Sequence, residues 1–221
     1  MQKSIYIAVL GMALFISPSL RADTFNFGLC GQITTSGAVC PGNSTKTLLT
    51  YANGILSVNA SAYTLPGGAA TNLYVKQGGT GEIGLGTTLD TVDHEITVND
   101  FVNLNLSNLV TNGILNGTLT IESTQTGEGY KVCEGSTLGS LGGSCVTGGA
   151  GTGTTTIPLT WTSSTDIIGI TAWNANGNTP AANILIEGLT VPTAAPEPGT
   201  IVMLGMGIVG LLGIRRKRVP A

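Results

Sequence analysis

From about residue 47 to residue 190, apolar and polar side chains alternate with a period of two, the pattern of half-buried β-strands. In Ile55–Tyr63, Leu56, Val58, Ala60 and Ala62 fall on one side, and Ser57, Asn59 and Ser61 on the other. Phe101–Ser107 sets Val102, Leu104 and Leu106 against Asn103, Asn105 and Ser107. Leu115, Leu119 and Ile121 likewise face away from Asn116, Thr118 and Thr120. Further strands are predicted at Thr47–Tyr51, Leu73–Lys76, Glu95–Val98, Tyr130–Cys133, Thr156–Trp161, Ile167–Trp173 and Ile184–Thr190. Asn53-Gly54, between the first two strands, is the strongest short hairpin cue, and Asn112-Gly113 precedes another strand. Helix formers are scarce and Thr, Val, Ile, Gly and Asn abundant. The expected fold is all-β, a β-sandwich or jelly roll of about nine short strands.

Two apolar runs break this pattern, one near each end. Met1-Gln2-Lys3 precedes a charge-free stretch from Ile5 to Ile16, Ser17-Pro18-Ser19 ends it, and Ala22 is small enough for cleavage. Residues 1–22 therefore read as a signal peptide, removed after Ala22 by signal peptidase. At the other end Pro196-Glu197-Pro198-Gly199 leads into the apolar run Thr200–Ile214, then Arg215-Arg216-Lys217-Arg218. That run has 15 residues, four of them glycine, whereas a spanning helix wants about 20. At 1.5 Å per residue it covers roughly 22 Å. The basic cluster orients it with the tail inside. Residues 200–214 are thus expected to be a marginal transmembrane helix whose membrane contact is transient.

The three parts, in this order, resemble the PEP-CTERM sorting domain of Gram-negative bacteria. The resemblance rests on Pro196, Glu197 and Pro198, the short apolar span, and Arg215, Arg216, Lys217 and Arg218. It implies processing by an exosortase-type protease in an organism that makes exopolysaccharide. It also implies export through the inner membrane to the cell envelope or extracellular matrix. On this reading residues 192–221 are the sorting signal, and 23–191 the folded domain.

Removing both ends changes the electrostatics. The whole chain has nine basic and twelve acidic residues, a net charge of −3. Between residues 23 and 195 only Lys46, Lys76 and Lys131 remain against eleven acids, and the balance falls to −8. A surface without arginine and with that sign cannot neutralise phosphates, which excludes nucleic acid as a partner. The four cysteines form two close pairs, Cys30 with Cys40 and Cys133 with Cys145. In an exported chain local disulfides are expected. The spacings, nine and eleven intervening residues, suit neither a zinc knuckle nor a redox CxxC.

Candidate chemistry is sparse. His94 is the one histidine, and no serine sits in a nucleophile elbow; no catalytic residue, cofactor or enzymatic activity is expected. Asp90, Asp93, Glu95 and Asp100, with Asn99, offer oxygen ligands for calcium but follow no defined loop spacing. A solvated acidic edge is the alternative. On a strand Asp93 and Glu95 would share a face about 6.6 Å apart, and neighbours so placed cannot bracket a glycosidic bond from both sides. Trp161 shares a strand face with Ile157 and Leu159 and belongs in the core. Trp173 ends a strand before the polar turn 174–178 and is the candidate glycan contact. The expected role is structural or adhesive, within an exopolysaccharide or biofilm matrix. The alternatives are a carbohydrate-binding module and, third, a secreted hydrolase.

Overall fold

A computed structural model describes residues 20–38, 40, 42–43, 46–77, 82–123, 127–149, 153–174 and 182–194. Its strands are β1 (Leu20–Asn26), β2 (Gly42–Asn43), β3 (Leu48–Asn53), β4 (Leu56–Thr64), β5 (Ala70–Thr71), β6 (Leu73–Lys76) and β7 (Gly84–Thr87). After them come β8 (Asp100–Asn105), a short helix α1 (Ser107–Thr111), β9 (Asn116–Ser123), β10 (Glu128–Gly135) and β11 (Ser144–Gly149). The last are β12 (Gly153–Thr160), β13 (Ile167–Asn174) and β14 (Leu185–Ala194). The chain divides into a compact unit, Asp23–Val191, and a second made of residues 1–22 and 192–221. The second lies almost wholly outside the described residues. The signal peptide and the sorting helix expected from the sequence fall there, apart from Leu20–Ala22 in β1 and Pro192–Ala194 in β14.

Two seven-stranded sheets face one another. The first runs β12-β9-β14-β7-β6-β2, with β1 beside β14; the second runs β11-β10-β13-β8-β4-β3, with β5 beside β4. From β7 onward the chain repeatedly crosses between sheets, so sequence neighbours seldom pair. Alternation drives the packing: in β4, Leu56, Val58, Ala60 and Ala62 all point inward, as their spacing requires. They meet Leu73, Val75, Leu85, Leu119, Ile121 and Ile186 of the opposite sheet in one apolar cluster. On β12, Ile157 and Leu159 are buried while Thr156, Pro158 and Thr160 face out. Trp161 follows on the same face, 2% exposed, and its indole N–H donates to the Ile114 carbonyl at 2.8 Å. Tyr51 packs edge-on against Phe27, centroids 4.8 Å apart, and its hydroxyl donates to the Phe27 carbonyl. Burial pushes that phenol's pKa up.

Local signals explain the connections. The β3–β4 hairpin turns on Gly54 and Ile55, one residue later than the Asn53-Gly54 cue, with Gly54 at φ 63°. A positive φ at the first of two loop residues is what a II′ turn demands. The Asn112-Gly113 pair instead ends a helix. Gly113, at φ 77°, and Ile114 donate back to the Val110 and Leu109 carbonyls, the Schellman arrangement. The predicted strand 101–107 accordingly stops at Asn105, and Ser107 begins α1. Glu95–Val98 is not a strand either: only Ile96 bridges, to Ile184. Leu115 lies outside β9 and is 46% exposed, unlike Leu119 and Ile121.

Candidate functional site

The outer face of the second sheet carries the most distinctive surface. Strand β13 is buried on both faces from Ile167 to Ala172, although alternation predicted one face in water. The cover is the segment 136–143 between β10 and β11. The Cys133–Cys145 disulfide closes this loop across directly opposed residues of those strands. Asn103, fully buried on β8, holds it: its Oδ1 accepts from Gly139 N–H at 2.8 Å, and its Nδ2 donates to the Ser140 carbonyl. Leu141 then seats on Gly169, where an added Cβ would lie 2.9 Å from its methyl. Next to it Tyr63 stacks on Phe101, centroids 5.4 Å apart.

Where this cover ends, a groove of about 300 Å³ opens between Leu65, Val98 and Leu141 on one side and Lys131 and Trp173 on the other. Trp173 is 42% exposed, and the Lys131 ammonium stands 5.6 Å from its ring centroid. Thr171, in the floor, is committed: its hydroxyl donates to the Thr97 and Asp100 carbonyls. The pairing register puts Trp173, Gly129 and Gly149 in one row across β13, β10 and β11, and Thr171, Lys131 and Thr147 in the next. A second hollow of about 340 Å³, lined by Glu134, Ser136, Thr137 and Ser164 among others, lies at the far end of the 136–143 loop.

A charged cluster sits on the first sheet. Lys76 donates to Glu95 at 2.8 Å and also pairs with Glu82. Glu95 reaches this position because β7 is bare beside it. A Cβ on Gly86 would lie 2.0 Å from the His94 carbonyl oxygen, so only glycine lets residues 94–95 cross there. Burial raises the Glu95 carboxyl to about 7, with Lys76 opposing and Glu82 adding to the rise. Burial also raises Asp100. Its carboxylate accepts from the Thr87 hydroxyl, and from the Thr97 N–H and hydroxyl at 2.5 and 2.9 Å. Burial and then Glu122 raise Glu187.

The sequence-predicted site residues separate accordingly. Asp90, Asp93, Glu95 and Asp100 do not converge. Asp90 accepts from Val92 N–H, Asp93 is exposed, Glu95 turns to Lys76 and Asp100 to its threonines. Among the described residues no three His, Cys, Asp or Glu side chains are grouped to hold a metal. Asp93 and Glu95 share no strand face, because His94 between them has φ 60° and stacks on Tyr74, centroids 4.1 Å apart. Both predicted disulfides are present, Cys30–Cys40 and Cys133–Cys145. Trp173 is exposed and Trp161 is buried, as their positions implied. The turn residues 175–178 and the tail residues Pro196, Glu197, Pro198, Arg215, Arg216, Lys217 and Arg218 lie outside the described residues, as does 200–214. Among the described residues no helix is long and apolar enough to cross a membrane. Sequence reading missed the Lys131–Trp173 pairing, the glycine row beside it and the Lys76–Glu82–Glu95 cluster. The scarcity of lysine was the one signal for Lys131 and Lys76.

Comparison with known proteins adds one finding. Residues 194–218 match the PEP-CTERM protein-sorting motif. The chain carries that motif, which marks an exosortase-targeted surface or secreted protein. No curated protein and no solved structure matches the chain.

Proposed function

We propose, from the sorting motif at residues 194–218 as premise, that this is an envelope or extracellular-matrix protein with a structural or adhesive role in an exopolysaccharide or biofilm matrix. Signal peptidase releases the N-terminus after Ala22. An exosortase then acts on the tail, whose contact with the inner membrane through residues 200–214 is temporary. One observation carries this reading: residues 194–218 match the sorting motif, with Pro196-Glu197-Pro198, a 15-residue apolar run and four basic residues in that order. A run of that length falls short of the roughly 20 residues that a permanent span wants.

No enzymatic activity is part of this proposal. Glu95 is tied to Lys76, Asp93 points to water and His94 stacks on Tyr74, so these groups lack the opposed placement of an acid and a base. Carbohydrate binding is the second reading, favoured by the exposed Trp173 ring. Substituting Pro196 and Pro198 by alanine, in a host with and without its exosortase, tests the first reading. Unprocessed precursor should accumulate both in the variant and in the exosortase-deficient host. Normal trimming without the protease would refute it.

A further inference from the structure

We propose that the groove at Trp173 and Lys131 binds an acidic polysaccharide, the indole taking the face of a pyranose ring and the Lys131 ammonium its carboxylate. This deepens the carbohydrate-binding reading of the same surface and rests on it. An exposed indole presents a flat apolar face, which suits the axial C–H face of a sugar. What lies beside it is equally flat. The row Trp173–Gly129–Gly149 offers one side chain and two bare positions. Two inter-strand steps make this a shelf about 10 Å across.

The two glycines are bare for different reasons. A Cβ on Gly129 would lie 2.6 Å from the Trp173 carbonyl oxygen and 2.8 Å from that of Gly148, so backbone packing demands glycine there. A Cβ on Gly149 would meet nothing within 4 Å. Packing places no requirement on that position, yet any larger side chain would stand up on the shelf.

Charge selects the ligand class. Lys131 is one of three lysines in a strongly acidic domain, and its ammonium lies over the Trp173 ring and takes no part in the Lys76 ion pairs. The groove lining contains no carboxylate. An ammonium held only over an exposed ring is weakly bound, and a charge-assisted hydrogen bond to a carboxylate displaces that contact favourably. Thr147, exposed beside Lys131 in the next row, supplies a hydroxyl for the sugar's own. Acids elsewhere on the domain are screened beyond about 8 Å at physiological salt, so they do not bar a polyanion from this strip.

The test is affinity electrophoresis and calorimetry of the mature protein purified from its host, against polygalacturonate and its carboxyl-reduced, neutral counterpart. Saturable binding to the polyuronate, at least tenfold tighter than to the neutral polymer, is expected. Trp173→Ala should weaken polyuronate binding tenfold or more. Lys131→Gln should erase the preference between the two polymers. Gly149→Gln should abolish binding while the melting temperature and both disulfides stay unchanged, which separates blockage from misfolding. Absence of polyuronate binding, equal affinity for both polymers, or full binding by Trp173→Ala or Gly149→Gln would overturn the assignment. Tail processing of each variant is followed in parallel. Lost binding with normal processing concerns the groove alone, and failed processing with normal binding concerns the sorting route alone.

Discussion

Replacing Glu95 by glutamine should remove a large part of the domain's pH dependence. In the folded protein the Glu95 carboxyl is 5% exposed, and burial raises it from its ordinary 4.5 to about 7 despite the Lys76 ammonium 2.8 Å away. The folded state therefore holds this proton more tightly than the unfolded chain does. The associated stability is fully present below about pH 4.5 and is lost as the pH rises through about 7. One pKa unit corresponds to about 1.4 kcal/mol, so the wild type should be about 2–3 kcal/mol more stable at pH 5 than at pH 8 through this group alone. Asp100 and Glu187 are also raised by burial and add slope of the same sign. Lys76 is raised too, and its contribution is lost only above its ordinary alkaline value, outside this window. Urea unfolding at both pH values, in wild type and Glu95→Gln, measures the difference directly. The variant should lose about 2 kcal/mol less than wild type between pH 5 and pH 8. Identical losses in the two proteins would refute the burial argument.

Other outcomes follow from the same contacts. Removing either disulfide, by Cys30→Ala with Cys40→Ala or Cys133→Ala with Cys145→Ala, should lower unfolding free energy by about 3 kcal/mol on loop-closure grounds, read from urea midpoints at constant m-value. Trp161→Ala should cost about 3–5 kcal/mol through the cavity and the orphaned Ile114 carbonyl. Asn103→Ala should raise amide exchange across 136–143, where Gly139 and Ser140 lose their anchor, while exchange in the first sheet stays unchanged. EDTA should leave the melting temperature where it was, since the Glu95 and Asp100 carboxylates are already occupied by Lys76, Thr87 and Thr97. A fall of several degrees would restore the calcium reading.

Several strands were legible to within a residue or two, among them the alternating run Ile55–Tyr63, which is β4 shifted by one residue. Leu73–Lys76 is β6 as predicted, and Ile167–Trp173 misses β13 by one residue. The strands β7 and β11 were not, because Gly84–Thr87 and Ser144–Gly149 owe their pairing to backbone approach and not to apolar side chains. Strand β1 was hidden differently, since Leu20, Arg21 and Ala22 also fit the end of a signal peptide. The helix Ser107–Thr111 is too short for a 3.6-residue period to register, and its Asn-Gly stop imitates a hairpin cue. For the candidate site, exposure of Trp173 followed from its place at a strand end. Its lysine neighbour did not, because Lys131 reaches it only through the β10–β13 register across 42 residues of sequence. Glu95 misled because a solvated acidic run and a buried ion pair look alike until the partner on β6 is known.

The most direct test of the sorting account is the intact mass of the protein recovered from its native host, fraction by fraction. The account predicts an envelope or extracellular species that begins at Asp23 and has lost Arg215–Arg218, with any attached group visible as added mass. A full-length tail, still carrying those four basic residues and retained in the inner membrane, would contradict it.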